Sequence, residues 1–196
     1  MQITDVLYEI LLTPREGMQK LRALNRSWFI SLFIVLAAVF SQTLAGFILK
    51  PPDSDSLLFF LTFGLLGEFI VVVAGWMFIT AIFHFLASWS RGTATSAREL
   101  FVLLGWSFLP FTLLPAGAIL ARAFGSIGYS VYIIFYLVIL VWFVRLQVLA
   151  IKELYTLSGE KAFLVYLAPA IILSLIMLIL LFASIGTIIF LIASKL

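Results

Sequence analysis

One acidic residue stands inside a long apolar run and raises the first chemical question. Glu68 follows LeuLeuGly and precedes PheIleValValVal, eleven residues after Leu57. A carboxylate at that depth in lipid costs about 3 kcal/mol or more unless it is paired or protonated. Two readings follow. In one, Glu68 is a proton or cation site, or a polar contact to a substrate. In the other, it is a neutral acid bonded across helices, to a carbonyl freed by Pro110 or Pro115. The nearest opposite charge in the pattern is Arg145, roughly 9 Å closer to the inner surface at 1.5 Å per residue.

His84 is the only histidine and lies beside Phe83, Phe85 and Trp89. It is sixteen residues from Glu68, roughly 24 Å along a helix and about 160° around it. The two cannot share a site on one helix. One histidine and no cysteine give no support to a metal site, a serine–histidine couple or any cysteine chemistry. His84 reads either as an intramembrane polar site or as an interfacial residue of an aromatic belt. Arg145 and Lys152 are seven apart and share a helix face, suited to snorkelling or to lipid phosphate. No HExxH, GxSxG, glycine-rich phosphate loop or aromatic–basic nucleic-acid pattern occurs. The sequence therefore gives no positive argument for an enzyme, a cofactor or a nucleic-acid partner.

The elements that position these residues follow from composition. The 196 residues are 64% apolar and 11% charged, with a mean hydropathy of +1.24. Soluble domains average about 45–50% apolar and about 25% charged. The class is all-α: an integral membrane bundle of five helices. A span needs about 20 apolar residues. Five stretches qualify: Trp28–Leu49, Leu57–Leu86, Leu100–Ala121, Gly128–Ile151 and Phe163–Ala193. Pro110, Pro115 and Pro169 each remove a backbone donor and predict kinks. The connections, at Lys50–Asp55, Ser88–Ala97, Arg122–Ile127 and Leu154–Lys161, are short, so successive helices are antiparallel neighbours. Ala37, Ser41 and Ala45 form a small-residue stripe on the first span, suited to close packing in the bundle or to a homo-oligomer face.

Charge sets the sidedness. Nine of the 12 Lys and Arg residues fall on the amino-terminal side: Arg15, Lys20, Arg22, Arg26, Arg91, Arg98, Arg145, Lys152 and Lys161. The positive-inside rule puts the amino terminus in the cytoplasm and, after five crossings, the carboxy terminus outside. Residues 1–27 form a unit apart from the membrane domain, 28–196. Ile3, Val6, Leu7, Ile10 and Leu11 repeat at helical spacing, as do Met18, Leu21 and Leu24. Thr13-Pro14-Arg15-Glu16 reads as a capping box with a new helix starting at Pro14. The expectation is two short amphipathic helices. They lie on the inner membrane surface, with Lys20, Arg22, Arg26 and Lys152 on headgroups, or they pack on the end of the bundle, and both can hold at once.

GlyTrpSerPheLeuPro, from Gly105 through Trp106 to Pro110, resembles the Gly-Tyr-x-x-x-Pro element of the Yip family, the five-span Ypt/Rab-interacting membrane proteins. The preceding SerAlaArgGluLeuPhe is similar to that family's lead into its third helix. Trp142–Pro169, with GluLeuTyrThrLeuSerGlyGluLysAlaPhe and then LeuAlaPro, resembles its fourth-to-fifth helix joint. Tyr8–Pro14 is similar to the opening of prokaryotic members. The resemblance implies the five-span fold, a prokaryotic cytoplasmic membrane and, in the eukaryotic branch, binding of Rab-type GTPases. Here the head carries Asp5-Val6-Leu7-Tyr8 without the Gly-Pro that follows in that branch. The functional expectation is a non-enzymatic organiser of membrane partners or lipid, with a protein partner on the cytoplasmic face. The alternative is a small transporter, channel or lipid-moving protein using Glu68.

Overall fold

The computed structural model describes residues 3–23, 28–51, 63–91 and 95–193. Arg26 and most of the turn expected at 50–55 lie outside them. Among the described residues the chain is helical throughout: α1 (Ile3–Leu12), α2 (Pro14–Ala23), α3 (Trp28–Leu49), α4 (Leu65–Arg91), α5 (Ala97–Trp106), α6 (Leu114–Ala123), α7 (Gly128–Tyr155) and α8 (Gly159–Ala193). Short 3-10 turns at Leu109–Leu113 and Gly125–Ile127 flank α6. Five helical stretches are long and apolar enough to cross a membrane, in the order expected.

The third crossing is not one helix. It breaks into α5, the 3-10 turn and α6 where Pro110 and Pro115 withdraw their donors. The carbonyls near the break are met locally. Ser107 donates its amide and its hydroxyl to Leu104 O, Phe111 N donates to Phe108 O, and Thr112 Oγ1 donates to Leu109 O. A broken span is tolerated in a membrane only where protein encloses it. Accordingly, 67% of an 18-residue window of this span is buried within the bundle, against 6% of the corresponding window in Gly159–Phe182 of α8. α3, α4 and α7 surround it. Pro169 is different: α8 runs through it without a break.

The small residues of α3 let it approach α6. Ala38 and Ala45 are buried with Leu114 and Ala118 in one cluster, while Ala37 and Ser41 are half-buried. The expected stripe is thus rotated by one residue towards Ala38. At the α6–α7 joint, Gly128 leaves no room for a side chain, since a Cβ there would stand 2.0 Å from Ala121 O.

The amino-terminal helices pack on the end of the bundle, one of the two places expected for them. Val6, Ile10, Met18 and Leu21 are almost fully buried in the main core, with Leu100, Leu103, Ile151 and Leu154. α2 packs on α5 and α7, at the bundle end shared by the start of α5 and the α7–α8 joint. Gly17 permits the tight α1–α2 crossing, because a Cβ there would lie 2.7 Å from Ile10 N. α2 does begin at Pro14, but the capping box does not form. Thr13 Oγ1 donates backwards to Glu9 O at 3.4 Å, closing α1, and Thr13 N does the same at 2.7 Å.

Candidate functional site

α7 ends in an αL residue, Thr156 at φ 51°, and Leu157 N turns back to Lys152 O at 3.1 Å. That closure leaves the neighbouring Glu153 carbonyl without its helical donor. Arg22 Nη1 supplies one at 3.1 Å, placing a cation at a helix carboxyl end where the backbone dipole favours it. The Glu153 side chain takes two more donors from α2: Arg15 Nε at 3.1 Å on Oε1 and Gln19 Nε2 at 2.8 Å on Oε2. Glu153 therefore holds three side chains of α2, spaced at the helical intervals 15, 19 and 22. Sequence reasoning missed this role, for which the signal is an acid at a helix end opposite a basic amphipathic segment.

Two of the basic residues expected on headgroups have partners within the protein. Arg22 caps α7. Lys20 is bonded to Glu9 of α1, and that carboxylate raises the Lys20 pKa above 10.5. Lys152 is half-buried on α7. Arg22 also lines a cleft of about 160 Å³ with Ser96, Arg98 and Glu99 at the start of α5. The face turned away from the bundle carries Tyr8 and Leu12, 66% and 59% exposed, one turn apart on α1.

His84 and Glu68 each find a partner, and the partners differ from those the sequence suggested. His84 Nδ1 lies 2.5 Å from the Tyr155 hydroxyl, joining α4 to the last residue of α7. Tyr155 is buried at 1% exposure. Glu68 stands in the first turn of described α4, and Oε2 accepts from Thr43 Oγ1 of α3 at 3.1 Å. Thr43 is six residues from the end of α3, about 9 Å along that helix. Glu68 thus bonds across helices, to a hydroxyl rather than to a carbonyl freed by proline. Arg145 is exposed on α7. The structure brings neither Arg145 nor His84 to Glu68. Among the described residues no three His, Cys, Asp or Glu side chains gather as metal ligands would.

Gly105, Trp106 and Pro110 lie at the centre of the bundle. Trp106 is fully buried and Pro110 sits in the 3-10 turn. A Cβ on Gly105 would stand 2.5 Å from Trp76 Cζ2 and 2.6 Å from Ser31 Cβ. Trp76 in turn stacks on Phe101, with centroids 3.6 Å apart at 10°. These residues make a packing node, with α3, α4 and α5 meeting over one glycine.

Compared with known proteins, residues 8–193 match the family model described as the Yip1 domain. No curated protein and no solved structure matches the chain.

Proposed function

The chain belongs to the Yip1 domain family, and from that membership we propose a non-enzymatic organiser of membrane partners that works through one end of its bundle. Integral membrane character follows from the family and the five apolar spans. The charge bias supports placing the α1–α2 end in the cytoplasm.

The observation that carries the proposal is the Glu153 anchorage. Three α2 side chains on one α7 residue, together with the buried stripe Val6, Ile10, Met18 and Leu21, fix α1 and α2 as part of the bundle end. A surface fixed in this way presents Tyr8 and Leu12 in a set orientation, exposed for a partner to meet. The Thr43 partner supports a structural role for Glu68 over transport.

The test is site-specific photocrosslinking in native membranes from Tyr8 and Leu12. The proposal expects discrete protein adducts that fade when Glu153→Ala frees α2. Adducts to lipid alone would reassign this face to the membrane surface. Robust solute flux in liposomes, lost in Glu68→Gln, would favour the transporter.

A further inference from the structure

A second feature lies within the membrane and is independent of the partner-docking reading. Between α4 and α8, floored by α7, runs a cleft of about 400 Å³. Val72, Trp76 and Phe83 line it from α4, Phe143 and Gln147 from α7, and Tyr166 from α8. Val72 to Phe83 spans eleven residues, so the cleft extends about 16 Å along α4. It is long, and its walls are apolar and aromatic, which suits a hydrocarbon chain rather than a hydrated solute.

Two lining residues carry polar groups that do not fit an empty apolar slot: Trp76, whose indole N–H is buried without a partner, and Gln147. Gln147 is 6% exposed, faces the cleft one turn after Phe143, and has no hydrogen-bond partner among the described residues. Its carboxamide opens onto the cleft, and an amide left unpaired against hydrocarbon costs free energy that a ligand carrying an acceptor relieves. Its depth limits what that ligand is. The 28 residues of α7 measure about 42 Å, some 12 Å more than a hydrocarbon core of about 30 Å. The excess belongs at the α1–α2 end, where Glu153 is held by polar partners. Gln147 lies eight residues before Tyr155, about 12 Å from that end. It therefore stands at the hydrocarbon boundary, where an acyl chain joins its glycerol.

We infer that the cleft between α4 and α8 holds one acyl chain of a membrane phospholipid, whose ester carbonyl accepts a hydrogen bond from the Gln147 carboxamide. The chain runs from Gln147 towards Val72, past the ring of Phe108 and the Pro169 turn of α8. Gly75 sits on the wall, and a Cβ there would meet nothing within 4 Å, so the acyl chain passes without hindrance.

The test uses the full chain in bilayers of phosphatidylethanolamine and phosphatidylglycerol with a trace of phospholipid carrying a photoreactive acyl chain. Labelling should map to cleft residues of α4, α7 and α8, and Gly75→Phe, which fills the cleft, should abolish it. Native mass spectrometry then compares diester with diether phospholipid. Wild type should retain the diester roughly tenfold better, the weight of one hydrogen bond, and Gln147→Leu should erase that preference. If Gly75→Phe loses its helical signal or elution volume, Ala170→Phe fills the cleft from the opposite wall. Equal labelling of wild type and the filled variants overturns the inference. So does equal retention of the two lipids by wild type, or a cleft adduct to a second copy of the chain.

Discussion

The indole of Trp76 occupies the space that a side chain at Gly105 would need, since a Cβ there would come within 2.5 Å of Cζ2. The ring cannot swing aside, because Phe101 stacks on its face and Phe108 meets it edge-on. Gly105→Ala should therefore destabilise the bundle by about 1–3 kcal/mol, as overpacked cores do. Chemical unfolding in detergent measures it. Trp76→Leu in the same chain should absorb much of that loss. Strict additivity of the two substitutions would show that they do not collide.

The hold of Glu153 on α2 predicts an unequal pair of variants. The Glu153 side chain is 14% exposed and that of Arg15 is 69% exposed. Glu153→Ala removes both side-chain bonds and should loosen α2 by about 1–3 kcal/mol, read as faster amide exchange confined to α1 and α2. Arg15→Ala should cost less than about 1 kcal/mol, since water screens it. Comparable effects from the two would place the anchor elsewhere.

Thr43 and Glu68 should respond in opposite order to their polarity. Thr43→Val leaves the acid without its donor and should cost about 1–3 kcal/mol. Glu68→Gln keeps an oxygen that accepts from Thr43, so unfolding should scarcely change. A Glu68→Gln loss larger than that of Thr43→Val would mean that the charge itself matters at this site.

The Lys20–Glu9 contact ties α1 to α2 in a pH-dependent way. The Lys20 pKa is raised above 10.5 first by its hydrogen bond to Glu9, and further by the charges of Glu9, Glu16 and Asp5. A raised folded value means the contribution is complete below 10.5 and disappears as pH climbs through the folded pKa. An NMR titration of labelled Lys20 should show a midpoint above 10.5, falling towards 10.5 in Glu9→Gln. An unchanged midpoint would remove Glu9 as the cause.

The chain has no cysteine, so single introduced thiols can report sidedness cleanly. Glu16→Cys and Ser158→Cys should react together, from the cytoplasmic side, with an impermeant maleimide. Ser126→Cys, at the other end of the bundle, should react only from outside. Labelling of the first two only from outside would reverse the proposed orientation, and labelling of all three from one side would break the five-span order.

Much of the fold was legible because bilayer physics acts on single residues and short runs. The five spans follow from hydropathy, and the break in the third follows from Pro110 and Pro115. Partners across the bundle were not legible. The stripe of Val6 and Ile10 shows that α1 has a buried face but not that Ile151 and Leu154 cover it. Thr13-Pro14-Arg15-Glu16 has the pattern of a capping box, yet the hydroxyl found a nearer acceptor in the preceding helix. Tyr155 lies 71 residues from His84, and no local rule pairs them. Gln147 is an uncharged side chain among apolar ones, and only its burial makes it notable. The one usable signal for Glu153 was an acid at a helix end opposite a basic amphipathic segment.

Arg15 and Glu153 are separated by 138 residues. During synthesis the head of the chain leaves the ribosome first, yet its seat is the last turn of α7. Until that turn has been made, the greasy side of α1 and α2 has only the start of α5 to pack on. The newborn segment must wait, with the lipid headgroup layer as the nearest shelter for its apolar stripe. Seating the head is therefore a late event in biogenesis, and a chain cut short before Glu153 would leave it unmoored.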